Sequence, residues 1–286
     1  MASFHVEPLD ATFGAVVTGL KLAELDEPTF AELYRTWLDY ALLVFPGQHL
    51  TRDDQIAFAK RFGTPEFEIA PISNVRADGT VRPEDNADDV IKVLKGNMGW
   101  HCDSTYMPVQ AKGAVFTCHV APPQGPPGEG GETGWADMRA AYDALDDAMK
   151  ARIETLSAHH SLVYSQGKVG LGDYKGYGMD QTDPPLRPLV KTHPETGRRC
   201  LMVGRHAYGI PGLDPADSSR LLQELGEFAV QPPRSYHHTW TAGDAVVWDN
   251  RALMHRACPW DMSKPRVMYH SRIAGDPASE GWKAAA

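Results

Sequence analysis

The segment Gly99-Trp100-His101-Cys102-Asp103-Ser104 places an imidazole and a carboxylate two residues apart. On a strand, positions i and i+2 point to the same face, so both groups can reach one ion while Cys102 points away. A second imidazole far along the chain, His255 in Asp249-Asn250-Arg251-Ala252-Leu253-Met254-His255-Arg256, would complete a set of two histidines and one carboxylate. Such ligands on one face of an octahedral ion leave three positions open for a bidentate co-substrate and O2, the signature of non-haem Fe(II) oxygenases. His-x-Asp alone is weak evidence in a chain with twelve histidines. His101 also reads as a hydrogen-bonded strand residue, Asp103 as a turn carboxylate, and His255 as an ordinary core or surface histidine. The adjacent pairs His159-His160 and His237-His238 compete, but strand neighbours face opposite ways and chelate poorly. Two histidines and an acid also serve zinc hydrolases, so ligand type leaves the metal open.

A further pair favours the oxygenase. Arg266 follows His255 by eleven residues, and a turn at Pro259-Trp260-Asp261 would fold it back toward the ion. A guanidinium there could grip the distal carboxylate of a dicarboxylate bidentately. Thr133, after Gly130-Gly131-Glu132, could donate its hydroxyl to the same group. The plainer readings are a surface salt bridge for Arg266 and a turn residue for Thr133. A carboxylate substrate needs its own cation, for which Lys92, Lys95, His270 and Arg272 are candidates, although solvated surface lysines are the commoner case. Tyr106, Tyr164, Tyr208, Trp260 and His206 could line a pocket for an aromatic ring, with core packing as the alternative.

Strands are expected to carry these residues. Short ones are predicted at 4–6 and 15–17, then a helix with Pro28 near its start and Phe30, Leu33, Tyr34, Trp37 and Leu38 at helical spacing. Ala41-Leu42-Leu43-Val44-Phe45 reads as a buried strand closed by Pro46-Gly47. Thr51 is expected to cap a second helix, with Gln55 near but not at the capping-box spacing. Residues 67–90 read as an irregular charged loop, 91–120 as strands, 122–131 as a Pro/Gly-rich insert and 165–185 as a second irregular stretch. Helices are predicted at 137–145, 147–156 and 215–228, and further strands at 201–203, 245–248 and 267–269. The expected architecture is a single domain over 1–286, mainly β, a sandwich or barrel with helical buttresses.

Composition agrees with an ordinary globular enzyme: 286 residues, 42% hydrophobic, 23% charged. A net charge of -9 and the lack of clustered Lys and Arg exclude nucleic acid as the main partner. Four cysteines without a CxxC pair read as reduced thiols. No secretory leader or apolar run of about 20 residues is found, so the expected location is cytoplasmic, without membrane contact. Oligomeric state is left open, a homo-oligomer included.

The combined pattern His101-Cys102-Asp103, Thr133, His255 and Arg266 resembles the taurine and phenoxyacetate-herbicide dioxygenase (TauD/TfdA) family. The likeness runs from Gly14-Ala15-Val16-Val17-Thr18-Gly19 to Gly275 and includes Phe45-Pro46-Gly47-Gln48, Ala136-Asp137-Met138-Arg139 and Val247-Trp248-Asp249-Asn250-Arg251. Asp103-Ser104-Thr105-Tyr106-Met107-Pro108 and Pro265-Arg266-Val267-Met268 are most similar to bacterial aryloxyalkanoate dioxygenases. The resemblance implies a double-stranded β-helix (jelly roll) and a reaction consuming 2-oxoglutarate and O2 at Fe(II). It implies iron held by His101, Asp103 and His255, 2-oxoglutarate held by Arg266 and Thr133, and Asn97 on the substrate side. The implied substrate is a small organic anion, an aryloxyalkanoate hydroxylated beside its ether oxygen so that the C–O bond breaks, with an alkylsulfonate, sulfate ester or amino-acid derivative as the alternative. The chain departs from the family in a longer gap of 29 residues between Asp103 and Thr133. It also carries His270 where the taurine enzyme uses an arginine for the sulfonate.

Overall fold

The apolar run at 41–45 is explained by two covered faces. Leu43 and Phe45 pack into one core with Leu33, Trp37, Phe58 and Phe62, whereas Leu42 and Val44 pack into another with Phe116, Trp135 and Trp248. A strand alternates sides, so one short stretch serves both cores. The computed structural model describes residues 4–85, 88–171 and 183–282. The predicted irregular stretch at 165–185 therefore lies partly outside the described residues, as does the chain end.

Strands β1 (His5–Pro8), β2 (Ala15–Thr18), β3 (Leu42–Phe45), β4 (Pro65–Ser73) and β5 (Gly113–Val120) occupy the first part of the chain. After β6 (Thr133–Asp137) come the short strands β7 (Ser157–His160), β8 (Leu186–Pro188), β9 (Val190–Thr192), β10 (Arg199–Leu201) and β11 (Ala207–Tyr208). The last four are β12 (Ser235–His238), β13 (Ala245–Asp249), β14 (Leu253–Ala257) and β15 (Val267–Ile273). The main sheet has the order β1-β2-β3-β13-β5-β15-β4, and a smaller sheet has the order β12-β6-β14. Side chains of both sheets share one core: Phe116, Val246, Trp248 and Met268 from the large sheet, Trp135 and Leu253 from the small one. The two sheets are the facing walls of a jelly roll.

Helices cover the outer faces. α1 (Glu27–Tyr40) and α2 (Arg52–Phe62) supply Phe30, Leu33, Trp37, Phe58 and Phe62 to the core behind the large sheet. α3 (Asp89–Gly96) turns Ile91 and Leu94 toward Trp260 and Met262. α4 (Met138–Ala144), α5 (Asp147–Ile153) and α7 (Pro215–Ala229) build a third core against Ala136 and Met254, with α6 (Leu162–Gly167) and α8 (Pro277–Glu280) as short connections. No helix among the described residues is long and apolar enough to cross a membrane. The four cysteines are buried and unpaired with one another.

Several local expectations change. The expected loop at 67–90 contains most of β4, which pairs with β15 at the sheet edge. Its prolines and glutamates suit an exposed edge and hide the strand from a pattern search. Of the strands expected over 91–120 only β5 forms; Asp88 caps α3 by accepting from the Val90 and Ile91 amides. The α2 capping box is closed by Asp54, whose carboxylate accepts the Thr51 amide at 3.0 Å. Gln55 is instead buried and accepts from the Thr117 hydroxyl. The strand expected at 201–203 ends at Leu201.

The end of β13 carries a buried charge network that anchors the turn into β14. Arg251 donates from Nε and Nη2 to the Asp249 carboxylate (2.8 and 2.7 Å), and His193 Nε2 donates to Oδ2 at 3.0 Å. Burial works to raise the Asp249 pKa, but Arg251 and His193 outweigh it and hold the carboxyl well below its usual range. Asp249→Asn should therefore lower unfolding free energy by about 3–5 kcal/mol at neutral pH, by analogy with other broken buried pairs. Because the folded pKa is depressed, this contribution is present above the unfolded value of about 3.9 and lost as pH falls below it. Urea denaturation of both proteins across that range should show the gap between them closing toward acid.

Candidate metal centre and its pocket

His255 reaches the space between the sheets through simple alternation. Leu253 packs into the inter-sheet core, Met254 into the outer one, and His255 points inward again, opposite Trp135 in the register. His101 is held against it by a single antiparallel bridge in which the two residues exchange both backbone hydrogen bonds (2.9 and 2.8 Å). His101 and Asp103 thus lie in an isolated bridge and a turn rather than the expected strand. Cys102 still points away, its thiol against the Leu253 carbonyl.

Asp103 is placed by Asn250. The Asn250 side chain accepts from the Asp103 amide at 2.7 Å and donates to the Asp103 carbonyl at 3.0 Å and the Ala111 carbonyl at 2.9 Å. This clamp ties the turn after His101 to the turn that launches β14. Ser104 follows with a left-handed backbone (φ 56°), unfavourable for a non-glycine residue. Its hydroxyl donates to Glu66 at 2.9 Å and accepts from Arg272 at 3.2 Å.

One ligand atom from each of His101, Asp103 and His255 lies within 4.8 Å of the other two, and all three residues are buried. Asp103 Oδ1 accepts from Arg272 at 2.9 Å, while Oδ2 is buried without a hydrogen-bond partner among the described residues. His255 Nε2 lies 3.7 Å from that oxygen and His270 Nε2 3.5 Å. The Gly99 carbonyl, 2.7 Å from His101 Nδ1, can only accept, so Nδ1 carries the proton and Nε2 is left with a free lone pair. Burial pushes the Asp103 pKa up, but Arg272 and then the neighbouring imidazoles more than offset it, keeping the carboxyl ionised. Burial, followed by the repulsion that protonated His101 and His255 would exert on each other, keeps His101 neutral, and burial likewise lowers His255. A buried anionic oxygen without a donor, flanked by neutral imidazoles, fits a divalent cation.

Arg266 and Thr133 line the same cavity, which also includes Asn97, Phe116, Trp248, Arg256, His270 and Arg272. Its volume is about 80 Å³. Arg266 precedes β15 and is 2% exposed, yet no carboxylate among the described residues pairs with it. Its Nε donates to the Gly131 carbonyl at 3.2 Å, and its guanidinium lies over the Trp260 ring. Desolvation pulls its pKa down to about 10. The Pro/Gly insert ends on this arginine: Gly131 has φ 72°, and an added Cβ would stand 2.8 Å from Pro122. The longer gap before Thr133 thus becomes a loop that closes over Arg266.

The candidate substrate cations separate clearly. Lys92 pairs with Asp89 and Lys95 with Glu84, and neither lines the cavity. Arg272 lines it but is engaged with the Asp103 carboxylate. His270 stacks on Trp248, and burial lowers its pKa to about 3, so it is a neutral lining group rather than a cation. Asn97 does line the cavity. Tyr164 and Tyr208 stack in a separate groove, whereas Tyr106 packs on His206, itself edge-on to His101. Sequence reasoning missed two site-building residues, Glu66 beneath Ser104 and the Asn250 clamp; the Asn250 position stood within a quoted motif without a role.

The chain matches the family described as taurine catabolism dioxygenase TauD, TfdA family over residues 5–272. It is 65% identical to an (S)-phenoxypropionate/alpha-ketoglutarate-dioxygenase of Sphingobium herbicidovorans, covering 97% of each chain. It is 57% identical to a protein of the same description from Delftia acidovorans, covering 98% of each. Among solved structures it resembles AAD-2 in complex with Mn(II) and N-oxalylglycine, with a TM-score of 0.89, 37% identity and 99% of each chain covered.

The Asn250 clamp makes a direct prediction. Asn250→Ala should weaken Mn(II) binding by about 10–100-fold, as removal of outer-shell partners does at other metal sites. Asp103→Ala should abolish it. Titration followed by Mn(II) paramagnetic resonance measures both.

Proposed function

The chain belongs to the TauD, TfdA family of dioxygenases, and from that premise we propose that it oxidises a small aryloxyalkanoate, in particular an (S)-2-aryloxypropionate, at the carbon bearing the ether oxygen. The enzyme is an Fe(II)- and 2-oxoglutarate-dependent dioxygenase. The observation that carries the assignment of its site is the buried guanidinium of Arg266, without a carboxylate partner among the described residues, in one cavity with His101, Asp103 and His255. A buried cation without a counter-ion is costly and suits a ligand bringing a carboxylate.

In this reading His101, Asp103 and His255 hold the iron, and Arg266 with Thr133 receives the distal carboxylate of 2-oxoglutarate. Bound iron supplies, with 2-oxoglutarate and O2, the oxidising power for hydroxylating a C–H bond, with succinate and CO2 as co-products. The chain's residues exclude water and fix the co-substrate at both ends, so that the reacting carbon is presented in one geometry. Hydroxylation of an aryloxypropionate at C2 gives a hemiketal, which collapses to a phenol and pyruvate. His270, Phe116, Trp248 and Ile72 make a mixed aromatic and aliphatic wall suited to an aryl ring. The neutral His270 suits a sulfonate poorly.

Two measurements test this reading. Arg266→Ala should raise the KM for 2-oxoglutarate at least tenfold, as loss of a charge-assisted bidentate contact does; an unchanged KM removes its role. Substrate-coupled succinate release, scored for (S)- and (R)-2-phenoxypropionate, phenoxyacetate and taurine, should be fastest with the (S)-propionate. Preference for taurine overturns the substrate class.

A further inference from the structure

Thr133 does not act alone. The indole of Trp240, two residues beyond β12, donates from Nε1 to Thr133 Oγ1 at 3.0 Å in a buried contact. Both side chains are nearly inaccessible, at 5% and 4% exposed. Of the seven tryptophans, Trp37, Trp135, Trp248, Trp260 and Trp282 leave a buried indole nitrogen without a hydrogen-bond partner among the described residues. Trp240 therefore differs from most of them in directing its one donor at a residue of the cavity. Its ring is held edge-on by Phe116 (5.5 Å) and His238 (4.7 Å), and His238 is in turn anchored on Asp244 at 3.1 Å.

The consequence follows from the donor inventory. An indole N–H only donates, and a hydroxyl has one hydrogen to give. With the Trp240 hydrogen occupying an Oγ1 lone pair, the Thr133 hydrogen must point elsewhere. No acceptor for it occurs among the described residues, and the side chain opens onto the cavity shared with Arg266. We propose that Trp240 is a positioning residue that presets the Thr133 hydroxyl as a hydrogen-bond donor toward the distal carboxylate of the co-substrate. This inference rests on the assignment of Thr133 and Arg266 to that carboxylate. The indole also polarises the hydroxyl it donates to, which strengthens the outgoing bond.

The test is a double-mutant cycle on 2-oxoglutarate binding, measured by calorimetry on Mn(II)-loaded protein so that turnover plays no part. Trp240→Phe keeps the aromatic packing and removes the N–H; it should raise the dissociation constant about fivefold, the scale of one hydrogen bond. Thr133→Val should raise it about as much or more, and the double variant should bind no worse than Thr133→Val alone. Binding of 2-oxovalerate, which lacks the distal carboxylate, should be unmoved by Trp240→Phe. In turnover, KM for 2-oxoglutarate should rise with kcat nearly unchanged. Should the phenylalanine variant fail to fold, benzothienylalanine at position 240 replaces the N–H by sulfur in the same outline. Wild-type affinity in either variant beside a weakened Thr133→Val overturns the role of Trp240 and spares that of Thr133. Unchanged affinity in Thr133→Val overturns both, and additive losses overturn the coupling.

Discussion

The carboxylate of Asp103 is buried, ionised and only half satisfied. Arg272 takes one oxygen, and the other faces His255 and His270 without a hydrogen bond among the described residues. An ionised carboxylate in such surroundings is tolerable only if positive charge compensates it. Arg272 supplies that from one side, and the open side converges with two neutral imidazoles. The strained Ser104, the Glu66 that accepts its hydroxyl, and the Asn250 clamp all serve to keep this one group in place. The candidate centre is thus a local imbalance of charge, built into a rigid frame and available to a cation.

The frame works through alternation. In β14, Leu253 and His255 face the interior and Met254 the outer core; in β15, Met268 shares the inner face with His270. Two sheets facing each other at close range bring the inner rows together without any long loop having to place a ligand. The candidate ligand pair outside a regular strand, His101 and Asp103, is secured by backbone bonds to β14 and by the asparagine that precedes it. Precision in such a site comes from rigid elements and fully bonded supports.

Two arginines of the cavity, Arg272 and Arg266, have separate tasks because their partners differ. Arg272 is neutralised by Asp103, while Arg266 has a backbone carbonyl and an aromatic face but no carboxylate among the described residues. The first maintains a protein anion; the second is suited to a ligand's. Lys92 and Lys95 are neutralised at the surface by Asp89 and Glu84. Residue type alone makes Lys92, Lys95 and Arg272 equivalent candidates for a substrate anion, and their counter-ions separate them.

Much of this was legible in the chain itself. Residue types at His101, Asp103, His255, Arg266 and Thr133 named a chemistry, because few side chains bind a divalent ion or grip a carboxylate. The apolar run of β3 and the proline-led starts of α1 and α7 declared their elements, since burial and capping are written in local pattern. What the tertiary structure decided was everything depending on partners distant in sequence. It converted an expected strand into a bridge and a turn at His101–Asp103, found β4 in an apparent loop, moved Arg272 from substrate to Asp103, and set Trp240 behind Thr133. Local sequence records which groups a residue can offer; which group stands opposite is settled only when the sheets close, because hydrogen bonds and ion pairs are properties of pairs.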